Sequence, residues 1–96
     1  MNNMERLQSR IVIWRNKQLD ASLSGTVEHL REEVEHLASN PYDPFALADV
    51  YILLLSVTDY AGFSVEQMEE AIAAKQTINE QREWLSRDIK GVVRHK

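Results

Sequence analysis

The chain has 96 residues, of which 44% are hydrophobic and 27% charged, with a net charge of −4 and no cysteine. That length makes one small domain, and the lack of cysteine excludes disulfides, thiol nucleophiles and thiolate metal sites. The acidic balance argues against nucleic-acid binding, and because MNNMERLQSR brings charge before any long apolar run, no signal peptide is read there and the expected compartment is the cytoplasm.

From Asn3 to Leu19 the apolar residues Met4, Leu7, Ile11 and Trp14 recur at three and four, which predicts an amphipathic helix with one buried seam. A tryptophan at a seam position reads as core, with stacking on a base as the alternative. The stretch DASLSGT is a linker of small, turn-forming residues, after which Val27, Leu30, Val34 and Leu37 predict a second helix, capped by Ser24 or Thr26 and stopped at Ser39-Asn40-Pro41. Asp43 followed by Pro44 marks the start of a third helix, and Gly62 marks its end. Between them Phe45, Leu47, Val50, Ile52, Leu53, Leu54, Leu55 and Val57 leave no wide polar face, so this helix is expected to be a core rod buried on most sides. Asp49 and Asp59 make it too charged, and its length too short, for a membrane span. The short loop before it predicts that the second and third helices run antiparallel.

Ser64 with Gln67 forms a capping box for a fourth helix that should reach Trp84 or Leu85. No strand signal and no repeat occurs. The expected fold class is all-α, a four-helix bundle in a single domain over residues 1–96, with its core over 4–85 and a basic tail over 86–96 that reads as a solvated end. A chain of this size buries only roughly 60–65% of its unfolded surface, so completion by oligomerisation, as a homodimer or homotetramer, is expected.

Three sets of ionisable residues can carry chemistry. Asp49 lies one turn inside the apolar third helix, where a carboxylate needs a cation, a metal ion or good donors, unless it simply looks out at solvent near the helix N-terminus. In HLREEVEHL, the second helix holds Glu32, Glu33 and Glu35 together with His29 and His36, and His29, Glu33 and His36 fall within an arc of roughly 60°. Such groups can converge on a divalent metal, with Asp49 joining from the next helix; a solvated acidic face is the plainer reading. On the fourth helix Lys75, Asn79 and Arg82 share an arc that overlaps the apolar face, which suits gripping an anion, although long side chains also reach water from such positions. Acids for a metal and cations for phosphates make the general layout of metal-assisted phosphoanhydride hydrolysis.

The ordered series HLREEVEHL, NPYDPFALADVYILLL, AGFS and K-x-x-x-N-x-x-R-x-W from Lys75 to Trp84 resembles the all-α nucleoside triphosphate pyrophosphohydrolases, the MazG-like superfamily, and most of all its phage-type dATP/dGTP diphosphohydrolase branch. The resemblance covers about residues 27–84. It implies a helical bundle, dimeric or higher, that binds Mg²⁺ or Mn²⁺ through carboxylates on two helices and converts a nucleoside triphosphate to the monophosphate and pyrophosphate with a metal-activated water. It implies Glu33, His36 and Asp49 as metal-site positions and Lys75, Asn79 and Arg82 as contacts to the phosphates; in an enzyme of this kind Glu32 and His36 are expected as auxiliary ligands or a water-activating base. Two positions depart from the family pattern: His36 stands where E-x-x-E has its second Glu, and Ala46 where E-x-x-D has its Glu. Imidazole suits Mn²⁺ or Zn²⁺ better than Mg²⁺. The alternatives to an enzyme are a member of this fold that binds nucleotide without catalysis, and a helical protein-interaction module.

Overall fold

The computed structural model describes residues 2–82. Among them are four helices and no strand: α1 (Asn3–Arg15), α2 (Leu23–Ser39), α3 (Pro44–Tyr60) and α4 (Val65–Arg82). This is the all-α, four-helix class that the apolar spacing predicts. The chain divides into two compact units, Met1–Val65 and Glu66–Lys96, so α1 to α3 build the first and α4 from Glu66 onward belongs to the second. The expected helix end at Trp84 or Leu85 and the basic tail over 86–96 lie outside the described residues.

In the first unit, the helix ends follow from local hydrogen bonding. The Asn2 side chain accepts from the Glu5 amide at 2.8 Å and starts α1. That helix stops at Arg15, short of the expected Leu19, because the amides of Lys17 and Gln18 turn back to the carbonyls of Trp14 and Arg15 at 3.1 and 2.9 Å. These tighter i to i−3 bonds end the α ladder, and Asp20, at φ 64, takes the left-handed turn that redirects the chain. The cap of α2 is Ser22, not Ser24 or Thr26: its extended backbone lets its hydroxyl accept from the Gly25 amide at 3.1 Å. Thr26 is already inside the helix and donates its hydroxyl to the Ser22 carbonyl at 2.7 Å. A Cβ at position 25 would stand 2.9 Å from the Ser22 oxygen, so glycine there keeps the cap close.

The start of α3 matches its sequence signals, since the Asp43 carboxylate accepts from the Phe45 amide at 2.9 Å and Pro44 takes the first helical position. Gly62 follows its end at φ 87, with nothing within 4 Å of where a Cβ would sit. Gly62→Ala therefore meets no clash and isolates the backbone term; it should cost about 1 kcal/mol, a fall of about 4–8 °C in Tm, read by thermal denaturation. A loss several times larger would mean that the turn serves something besides its own conformation.

α3 is not a rod buried on most sides. Among the described residues the buried apolar side chains are Ala46 (1% exposed) and Val65 (4%), and Ser56 (4%) is the buried polar one. Phe45, Leu47, Tyr51, Ile52 and Leu54 are all exposed. The physical reason is coverage: α3 packs most extensively on α2 and less on α1, and two neighbours shield only part of a helix that is apolar all round. Polar contacts hold α1 in place. Gln8 donates to the Leu55 carbonyl at 3.2 Å, and Arg15 donates to the Ser56 carbonyl and hydroxyl at 3.0 and 3.1 Å. Arg15 also pairs with Asp59 at 2.6 Å and lies 3.5 Å from the centroid of the Tyr60 ring.

Candidate active site

α1 and α2 both pack on α3 but not on each other, and a cleft of about 790 Å³ opens between them. Its volume lies in the range of small-molecule sites, roughly 300–1,000 Å³. Helical spacing determines which side chains reach it. From α3 these are Asp49, Ile52, Leu53 and Ser56, at i, i+3, i+4 and i+7; from α2 they include Gly25, His29 and Glu33, at i, i+4 and i+8. From α1 come Leu7, Ile11 and Trp14, three of the four predicted seam residues, beside Arg10 and Arg15, so that part of the seam faces an open cleft instead of a core. Trp14 is 61% exposed and is not a core residue.

Glu33 and Asp49, singled out on separate helices, line this same cleft. The short connection between antiparallel α2 and α3 puts the later part of one helix beside the early part of the other. Glu33 is 20% exposed and lies between two imidazoles, with His29 Nε2 3.5 Å from its Oε1 and His36 Nδ1 3.7 Å from its Oε2. Those separations are too long for good hydrogen bonds, so the rings flank the carboxylate by helical spacing alone. His29 lines the cleft and His36 does not. Both share Glu33's flank, but they are seven residues, about 10 Å, apart along the axis, and the cleft extends toward the start of α2. The cleft residue missed by favouring His36 is thus His29, whose i, i+4 spacing to Glu33 was its signal. Glu32 is exposed and does not line the cleft.

Asp49 is not embedded in apolar surroundings. It is exposed and makes no hydrogen bond or ion pair to any described residue, so it needs no partner in order to be tolerated. Ala46, one turn earlier, is 1% exposed, and its methyl group offers no donor atom.

No group of three metal-ligating side chains occurs among the described residues. Of the three carboxylates that line the cleft, Asp20, Glu33 and Asp49, the last two stand on the facing helices α2 and α3, and they are hard oxygen donors suited to Mg²⁺ or Mn²⁺. Mg²⁺ in phosphate-handling sites is commonly held by one or two carboxylates, with phosphate oxygens and water filling its shell, and Glu33 with Asp49 fits that pattern.

In the second unit, Lys75 and Asn79 line a groove along α4 with Met68 and Ile72. Asn79 Oδ1 is buried without a hydrogen-bond partner, Lys75 is exposed and Arg82 is half-buried outside that groove. Of the three residues expected to share a face, two line one groove.

A helical chain with one carboxylate from each of two antiparallel helices facing a cleft agrees with the all-α arrangement that the sequence resemblance implies. Residues 7–95 match the dATP/dGTP pyrophosphohydrolase family, and the chain belongs to that family of enzymes. A dATP/dGTP diphosphohydrolase of Cyanophage S-2L is 37% identical over 92 residues, which are 93% of this chain and 84% of that protein. No solved structure matches the chain. No single helix among the described residues is long and apolar enough to cross a membrane.

Proposed function

We propose that the protein hydrolyses purine deoxynucleoside triphosphates, dATP and dGTP, to the monophosphate and pyrophosphate, with Mg²⁺ or Mn²⁺ held by Glu33 and Asp49. The observation that carries this reading is that these two carboxylates, from different helices, line one cleft of nucleotide size. The similarity to the cyanophage enzyme supports the substrate class. Bound there, a divalent cation would supply charge stabilisation on the phosphate oxygens and lower the pKa of a coordinated water. Glu33 and Asp49 orient that charge, and His36 keeps Glu33 aimed as an auxiliary ligand or positioning group. Glu32, exposed one residue before Glu33, remains the candidate for an auxiliary base. Taken by itself, α4 carries Lys75, Asn79 and Arg82 as the proposed phosphate-contacting residues, Lys as a point charge and Arg as a fork matched to phosphate oxygens.

Two or four copies are proposed to form the working enzyme. The support is the wide exposure of apolar residues on α3, together with Phe63 and Ile72, where few large side chains are buried among the described residues. One experiment tests both parts: incubate the protein with each deoxynucleoside triphosphate and Mg²⁺ or Mn²⁺, and measure solution mass alongside. Monophosphate plus pyrophosphate from dATP and dGTP, lost with a chelator, from a species at a multiple of 11.1 kDa, is expected. Activity that survives the chelator would remove the metal from the proposal.

A second reading, nucleotide binding without turnover, is favoured by Ala46, since a buried methyl replaces an expected ligand. It predicts a nucleotide-dependent rise in Tm with no product.

A further inference from the structure

We infer that His29 is a metal ligand of this site: with Glu33 it closes a nitrogen–oxygen pair on one face of α2, and that pair selects transition-metal ions such as Mn²⁺ over Mg²⁺. The inference rests on the reading above, in which Glu33 and Asp49 mark the metal end of the cleft, and adds to it a ligand of a different chemical kind. Residues four apart on a helix stand one above the other, and two such side chains can close on a single ion, as the histidines of an H-E-x-x-H helix do. His29 Nε2 and Glu33 Oε1 face each other at 3.5 Å, too far for a good hydrogen bond. That separation suits two donors on one ion: with bonds of about 2.1 Å and an angle of about 90–110° between them, donors stand roughly 3.0–3.5 Å apart.

Glu33 is the one described residue with which the His29 imidazole makes a polar contact, so the ring is not committed elsewhere. Both side chains line the cleft, as does Asp49 from α3. His36 Nδ1, 3.7 Å from the other oxygen of Glu33, belongs to a ring that does not line the cleft, so an ion held there would sit away from the substrate. The donor chemistry favours one class of ion. Mg²⁺ takes oxygen ligands and gives up water reluctantly, whereas imidazole binds first-row transition-metal ions well. Ala46 supplies no donor where the resemblance implies a Glu, and a neutral nitrogen makes good that loss for Mn²⁺ but not for Mg²⁺. Phosphate oxygens and water are left to fill the rest of the shell.

Metal ligation can be read without turnover. The chain has three histidines, His29, His36 and His95. Pulsed electron paramagnetic resonance of the untagged protein with equimolar Mn²⁺ should show nitrogen coupling that is lost in His29→Gln and kept in His36→Gln and His95→Gln. Calorimetric titration of His29→Gln should show Mn²⁺ affinity lowered by at least the roughly 10- to 100-fold that losing an outer-shell support costs a metal site, with Mg²⁺ affinity within about threefold of wild type. The His29 side chain is 57% exposed, so the variant should keep the wild-type Tm. Mn²⁺ that binds without nitrogen coupling, or coupling that survives His29→Gln, overturns the inference and leaves the two-carboxylate site standing. Equal losses for Mn²⁺ and Mg²⁺ overturn it too, because His29 would then position Glu33 without touching the ion. No binding of Mn²⁺ to the wild type overturns both this inference and the carboxylate reading beneath it. If the nitrogen coupling behaves as expected but no deoxynucleoside triphosphate is turned over, the His29 ligand stands and the catalytic reading fails.

Discussion

Asp49→Asn lowers kcat/KM for dGTP by on the order of 10³-fold while Tm stays within about 2 °C of the wild type. The two halves of this result have separate causes. Asp49 is exposed and has no partner among the described residues, and it lies beyond the first turn of α3, where the helix dipole would reward its charge. Replacing the carboxylate by an isosteric amide therefore removes almost nothing from the fold. If the carboxylate holds a divalent cation against the phosphates, the same change removes a ligand and a full negative charge where the transition state needs the cation, and about 4 kcal/mol corresponds to three powers of ten in rate. Raising Mn²⁺ should recover part of the loss, because weakened metal binding responds to mass action. Glu33→Gln should act in the same direction, because it removes the other carboxylate that lines the cleft from α2. A rate within twofold of wild type for Asp49→Asn would make this acid an ordinary surface charge and defeat the metal assignment.

Arg15→Ala is expected to cost about 3 kcal/mol of stability, enough to lower Tm by roughly 12–24 °C in a domain of this size. The arginine is 11% exposed, and its guanidinium serves four partners at once on one stretch of α3: the carbonyl and hydroxyl of Ser56, the Asp59 carboxylate and the Tyr60 ring. Truncation strands the Ser56 hydroxyl, which is 4% exposed, without its cationic donor and leaves a void against the Tyr60 ring. Arg15→Lys should restore only part of the loss, because an ammonium offers one point of charge where the planar fork reaches three oxygens and stacks. Asp59→Asn should cost less than about 1 kcal/mol, since that side chain is 40% exposed and its amide oxygen still accepts from the guanidinium. Equal losses for Arg15→Ala and Asp59→Asn would show that the ion pair alone carries the contact; a loss under 1 kcal/mol for Arg15→Ala would show that α1 is held by its apolar seam instead.

Arg15 also shows what kind of information a linear pattern omits. It follows Leu7 and Ile11 at i, i+4 and i+8, so its position on the inner side of α1 can be read from spacing. Its partners, forty-odd residues away, cannot. Trp14 failed in the opposite way: its seam position was read correctly, but seam was equated with core, and α1 and α2 do not close over α3. The same gap explains Asp49. An acid inside an apolar sequence is costly only if other elements cover it, and here a cleft lies in front of it.

What the order of residues determined by itself is local: the all-α class, the Asp43-Pro44 start and Gly62 end of α3, and the placing of Glu33 and Asp49 on neighbouring helices joined by one short loop. Each depends on hydrogen bonds and spacing within a turn or two, or on a connection too short to allow another arrangement. Tertiary structure alone decided that α1 and α2 stand apart on α3, that the space between them is a cleft, and that His29 rather than His36 faces it. A helix with apolar residues on every side can accept neighbours at many rotations and crossings, and only the summed contacts, with Arg15 anchoring one of them, select which side remains open.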